Sequence, residues 1–201
     1  MFLFSNFKIK KWERLSVERR IRVLNRVEKR FARRQRRDYA PVYVVDKPEG
    51  SLGVFKVRNG KAYIKLSNCL VTNVALRFKA LDTVIHEGRH AHQATVISNN
   101  HSIFNFRARK WKKNKKGYIY PEACMIAYRM QSIERDANKY ALKHLRKRRR
   151  KYKNEPSYKE TLDILIKCFE SAEAEAREKF GDNFKREIRR MIKQRKKANK
   201  K

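Results

Sequence analysis

Acidic side chains are scarce in this chain: 20 Asp and Glu stand against 54 Lys and Arg in 201 residues, a formal charge of +34. That imbalance opposes compaction by self-repulsion and calls for a polyanionic partner, with nucleic acid the leading candidate. A long apolar run is missing as well. Nothing approaches the roughly 20 residues of a spanning helix, so an anionic membrane surface can attract the charge but no transmembrane segment is expected. The opening Met1-Phe-Leu-Phe-Ser-Asn-Phe7 is too short for a secretory signal and has its charge on the wrong side, which points to an intracellular, cytoplasmic protein. Cysteine is limited to Cys69, Cys124 and Cys168, far apart and without C-x-x-C spacing. Such spacing excludes a zinc ribbon and a disulfide framework and fits free thiols in a reducing compartment. No internal repeat is visible. What is present is a hydrophobic fraction of 41% with 11% aromatic residues, enough to build a core rather than a disordered polybasic tail.

The most informative stretch is Thr83-Val84-Ile85-His86-Glu87-Gly88-Arg89-His90-Ala91-His92-Gln93, which contains H-E-x-x-H. Residues four apart share a helix face, so His86 and His90 can aim two imidazoles at one Zn²⁺ while Glu87 stands beside them as a base for water. A chance match to three fixed residues is expected on the order of once in a hundred chains or fewer. Leu81, Val84, Ile85, Ala91, Ala94 and Ile97 give the helix an apolar surface to bury. Gly88 runs against this, because glycine in a helix interior costs about 1 kcal/mol relative to alanine. Something other than propensity must hold that turn.

The rest of the chain reads as follows. Val17, Ile21, Leu24, Val27 and Phe31 mark a basic amphipathic helix from Ser16, its N-cap, to about Arg37, whose outer arginines either face solvent or contact phosphate. Tyr39 to Val45, Val54 to Val57 and Ala62 to Leu66 are expected strands, the last two joined by a type I′ hairpin turn at Asn59-Gly60. They predict a small antiparallel sheet. The histidine helix should begin near Val74 or Ala75 and run to about Ser98. Arg107 to Gly117 reads as a charged loop in which Trp111 either stacks on a base or pins the loop to the core. Glu122 onward is expected to be helical to about Tyr152, with Ala127, Met130, Ile133, Ala137, Tyr140, Ala141 and Leu145 inward. Further helices are expected over Tyr158 to Phe180 and from Phe184, ending in a frayed Lys-rich tail from Lys193 to Lys201. The expected organisation is a basic N-terminal helix over residues 1–38, a core over 39–152 and basic C-terminal helices and tail over 153–201.

A catalytic zinc needs a third protein ligand. Glu134 sits on the inward edge of a helix beside Ile133, Ala137 and Ala141, where a carboxylate is expensive to bury without a cation. Zinc would be that cation. His101, eleven residues after His90, is a rival, and Asp136 and Glu122 are further alternatives. His92 should point away from the His86/His90 face, and His144 lies beside the run of arginines at 146–151.

H-E-x-x-H at 86–90 followed by E-x-x-A-N-x-Y-A at 134–141 resembles the gluzincin metallopeptidases, most closely the small ImmA/IrrE-like zincins of phages and mobile elements. Similar H-E-G-R-H-A-x-Q sequences occur in zincin domains of bacterial toxin systems. The resemblance covers about Val54 to Ala141. It implies an α+β, zincin-like fold with the small sheet packed on the active-site helix; the long basic helices that the spacing predicts at both ends lie outside the matched segment. It also implies that His86, His90 and Glu134 bind zinc and that Glu87 activates water. Gly88 and Arg89 depart from the more usual apolar residues of the motif, and a basic insertion separates its halves. The arrangement with His101 looks instead like the SprT-type proteases that cleave DNA-bound proteins, although their usual H-G pair is His101-Ser102 here.

The expected activity is peptide hydrolysis on a protein or peptide substrate held near nucleic acid, with Tyr128, Tyr140 or Arg89 stabilising the oxyanion. A second expectation is a basic nucleic-acid-binding protein with a structural or vestigial zinc site. A metal-dependent nuclease ranks below both, since nucleases more often use carboxylate clusters or paired metals.

Overall fold

The structure, a computed structural model, describes residues 3–46, 48, 51–99 and 106–199. Among them the chain is α+β, with ten α-helices and one three-stranded sheet. It divides into two compact units, one made of residues 1–92 and 140–164, the other of 93–139 and 165–201. No helix among the described residues is long and apolar enough to cross a membrane.

The first unit starts with a 3-10 turn, Leu3–Phe7, and α1, Ile9–Glu13. Phe7 is fully buried and stacks on Trp12 at 4.9 Å and Phe78 at 6.2 Å. Phe4 and Phe7 are therefore core material. Next, α2, Val17–Arg34, is capped by Ser16, whose Oγ accepts from the Arg19 N–H. Its buried face includes Val23, Leu24, Val27 and Phe31 but also Arg20 and Glu28. Arg20 is satisfied there by the carbonyls of Trp12, Val71 and Thr72.

The strands are β1, Val42–Val45, β2, Gly53–Arg58, and β3, Lys61–Ser67, in the order β1-β3-β2. The β2-β3 hairpin turns at Asn59 and Gly60, with φ of 50° and 74°, as its type I′ turn requires. The sheet is mixed rather than antiparallel, because β1 pairs parallel with β3. The connection to β2 passes the Ser67 end of β3, where the Asn68 N–H donates to Val45 O and the Ser67 N–H to Leu52 O. Both outer strands thereby meet β3 at one end.

After α3, Cys69–Thr72, and a 3-10 turn, Val74–Leu76, the histidines lie on α4, Arg77–Ser98, close to the expected bounds. Residues 107–116 are not a loop. They belong to α5, Phe106–Lys116, because Ala108, Trp111 and Asn114 recur three apart and bury one face, which overrides the charge of the others. The long helix expected from Glu122 is in three pieces: α6, Met125–Met130, α7, Ser132–Arg146, and α8, Arg149–Tyr152. Then come α9, Pro156–Phe180, and α10, Phe184–Ala198, which stays helical through Lys193 to Lys197 instead of fraying early. The division between the units falls inside α4, α7 and α9. The second unit has its own core of Ile119, Ala127, Met130, Ala172, Ala176, Phe184, Ile188 and Ile192.

Candidate metal centre

Leu81, Val84, Ile85 and Ala91 are buried along α4, as the apolar spacing requires. What holds the turn at Gly88 is a buried ion pair from α2 and the residues after it: Arg37 Nη1 lies 2.6 Å from Glu28 Oε1, with both side chains fully buried. A Cβ at Gly88 would lie 3.0 Å from Arg37 Nη2 and 3.7 Å from Glu28 Oε1. Glycine is thus the residue that lets the helix backbone lie against this pair. Burial raises the Glu28 pKa, and the Arg37 charge beside it acts in the opposite direction.

On the same helix the Nε2 atoms of His86 and His90 are 3.0 Å apart. Two imidazoles at about 2.0–2.1 Å from a tetrahedral zinc place their nitrogens about 3.3 Å apart, so the pair suits one metal. Glu87 is held by the sheet: the Phe55 N–H of β2 donates to its Oε2 at 2.8 Å, while Oε1 is 4.0 Å from His86 Nε2. The strand can come this near because its first residue is Gly53. A Cβ there would sit 2.4 Å from Thr83 Cγ2 and 3.5 Å from Glu87 Cγ.

Glu134 owes its place to a helix break. Gln131 is extended, with ψ of 146°, and almost fully buried. Its Oε1 accepts from Asn114 Nδ2 at 2.8 Å and from the Ile119 N–H at 3.2 Å, and its Nε2 donates to Ile119 O at 2.8 Å. The side chain thus offers the segment at Ile119 the pairing a strand would. Asn114 Oδ1 in turn accepts from the Ile133 N–H at 3.0 Å and the Ser132 hydroxyl at 3.2 Å, capping the new helix. Glu134 therefore falls in the first turn of α7, where the positive end of the helix dipole favours a carboxylate. It is 1% exposed, and Tyr118 donates its hydroxyl to Oε1 at 2.8 Å. Burial first, and then the charge of Glu134, push the Tyr118 phenol far above its usual range, so it stays a donor. The fully buried Gln93, one turn beyond His90 on α4, donates to Ile133 O and Asp136 Oδ2, each at 2.9 Å.

His86, His90 and Glu134 each offer one ligand atom, and these atoms lie within 4.8 Å of one another. This is a His-His-Glu group able to hold a metal ion. Two imidazoles and one carboxylate are a donor set that zinc accepts. Asp136 bonds to Gln93, Glu122 is exposed, and neither belongs to the group. His101 lies outside the described residues. His92 is half-buried and outside the group. His144 packs against Phe31 and Tyr140, and burial followed by the charge of Arg148 lowers its pKa to about 4.

The candidate oxyanion groups are placed differently from one another. The Arg89 guanidinium lies 4.8 Å over the Tyr140 ring, which also meets Phe31 edge-on. Tyr128 meets the ring of Tyr118 edge-on at 6.1 Å. Tyr118, Gln131, Asn114 and Gln93 are the residues that reading along the chain missed. Only pairing across distant segments gives them a role. Trp111 is 5% exposed, which settles its alternatives in favour of anchoring α5. Comparison with protein-family models, curated proteins and solved structures finds no match to this chain.

Proposed function

We propose that this chain is a zinc-dependent metallopeptidase of zincin type that acts on protein substrates held near nucleic acid. The observation that carries the reading is the convergence of His86, His90 and Glu134, with Glu87 on the same helical turn as the first two. Bound zinc would supply a Lewis acid that polarises the scissile carbonyl and acidifies water. The chain supplies the rest. Glu87, anchored to β2 through one oxygen, uses the other to take a proton from water and return it to the leaving amine. Tyr118 keeps Glu134 oriented, and Tyr128, in ring contact with Tyr118, is the phenol assigned to the oxyanion. The net charge of +34 concentrates the chain on polyanions and on whatever proteins they carry.

A second reading has its own observation. The bond from the Phe55 N–H gives Glu87 a structural task, which suits a nucleic-acid-binding protein whose metal group only braces the fold. Glu87→Gln decides between them, using a peptide library read by mass spectrometry and metal analysis of the same preparations. Under the first reading cleavage disappears while about one zinc per chain remains, and His86→Ala loses both. Cleavage that survives in Glu87→Gln, or in metal-free protein, refutes the peptidase. Stoichiometric zinc without cleavage by the native chain supports the bracing role.

A further inference from the structure

We propose that the second unit carries a binding groove for single-stranded nucleic acid, bounded by α5, the start of α7 and α10. This rests on the polyanion-recruitment part of the proposed function and names its site and strand form. The groove encloses about 810 Å³. Arg109, Lys110 and Lys113 line it from α5, Arg135 from α7, and Lys185 and Arg189 from α10. No carboxylate lines it among the described residues. Glu173 partly offsets two of these cations, at 3.6 Å from Arg135 and 3.7 Å from Lys185. The other four have no carboxylate within ion-pair distance among the described residues, a concentration of like charge that costs stability unless an anion settles there.

Charge alone would serve any polyanion. The floor is what selects. Met130, Ile188 and Ile192 form an apolar base, and Phe106 stands at the edge with 72% of its surface exposed. On its own helix this ring is followed by the groove-lining cations Arg109, Lys110 and Lys113. Unpaired bases can lie on the ring and floor while their phosphates follow the cations. A duplex keeps its bases stacked inside and uses only the cations. The acidic side chains of a polyglutamate carry charge but no ring to set on Phe106.

The test measures binding of the full chain to a labelled oligothymidylate of about 12 nucleotides and to a duplex of similar length, by fluorescence anisotropy over a range of salt. Phe106→Ala, at an exposed position that folding does not need, should weaken strand binding about tenfold with little change in salt slope and spare duplex binding. Lys113→Gln with Arg189→Gln should weaken it about tenfold or more and lower the slope by about one to two. Arg22→Gln with Arg26→Gln, exposed on α2, should leave strand binding within about twofold. If the chain binds the strand but none of the groove variants differs from that control, the groove assignment is wrong and recruitment stands. Should polyglutamate displace the strand as well as an equal charge of unlabelled oligothymidylate does, or duplex binding fall equally in Phe106→Ala, the single-strand assignment is wrong. Failure of the native chain to bind either nucleic acid removes recruitment itself.

Discussion

Replacing Gln131 with leucine is the sharpest check on how the metal group is assembled. The side chain is 1% exposed and serves three buried partners: the Asn114 amide and both backbone groups of Ile119. Leucine has similar bulk and no polar atoms, so all three lose their bond at once. Each orphaned buried group costs about 1–3 kcal/mol, and partial relaxation or an entering water returns some of it, leaving a loss of about 3–5 kcal/mol. Against a total stability of about 5–15 kcal/mol this is large. With an m-value of about 1–3 kcal/mol/M, the urea midpoint followed by circular dichroism should fall by about 2 M. The folded fraction should also bind zinc more weakly, by about tenfold in competition with a chromophoric chelator, because the break at Gln131 is what sets Glu134 in the first turn of α7. A loss under about 1 kcal/mol would show that the break does not depend on these bonds. A large loss of stability at unchanged zinc affinity would cut the argued link between the break and the ligand.

Three further outcomes are expected. Tyr118→Phe removes the donor to Glu134 and should weaken zinc binding about tenfold while leaving two-histidine binding measurable, and an unchanged affinity would deny Tyr118 its orienting part. Arg37→Ala leaves the Glu28 carboxylate buried without its cation and should cost about 3–5 kcal/mol in urea unfolding, whereas the paired change Arg37→Met with Glu28→Leu should recover most of it. His144 has a folded pKa of about 4 against 6.5 in the unfolded chain, so between those values the unfolded chain binds the extra proton. Its contribution is intact above pH about 6.5, falls as pH drops towards about 4 and is flat below; His144→Phe should flatten that part of the midpoint-versus-pH curve, and an identical curve would refute the assignment.

The parts of this molecule legible in the sequence are those governed by short spacing. The four-residue spacing of His86 and His90, the apolar neighbours on α4 and the Asn59-Gly60 turn each specify local geometry, and the structure has each where the spacing puts it. Glu134 was legible for a related reason, since a carboxylate among Ile133, Ala137 and Ala141 asks for a cation. Length and continuity were harder. Nothing in Glu122 to Tyr152 announces a break, because Gln131 is a good helix former whose amide is claimed by Asn114 and Ile119, twelve or more residues away. Likewise α5 is hidden by its charge, since the packing of Ala108 and Trp111 that stabilises it is tertiary. The parallel pairing of β1 depends on a connection whose path no local pattern encodes.

The ion pair behind Gly88 ties the N-terminal stretch to the chemistry in a practical way. Glu28 and Arg37 come from the first 38 residues, yet they fill the space at the back of the very turn that presents His86 and His90. A chain begun at Tyr39 would keep the whole motif and still leave a hollow beneath it, with a glycine over the gap and nothing to resist the helix unwinding there. Trimming the molecule to its motif-bearing middle should therefore yield a loose metal binder rather than a smaller working protein.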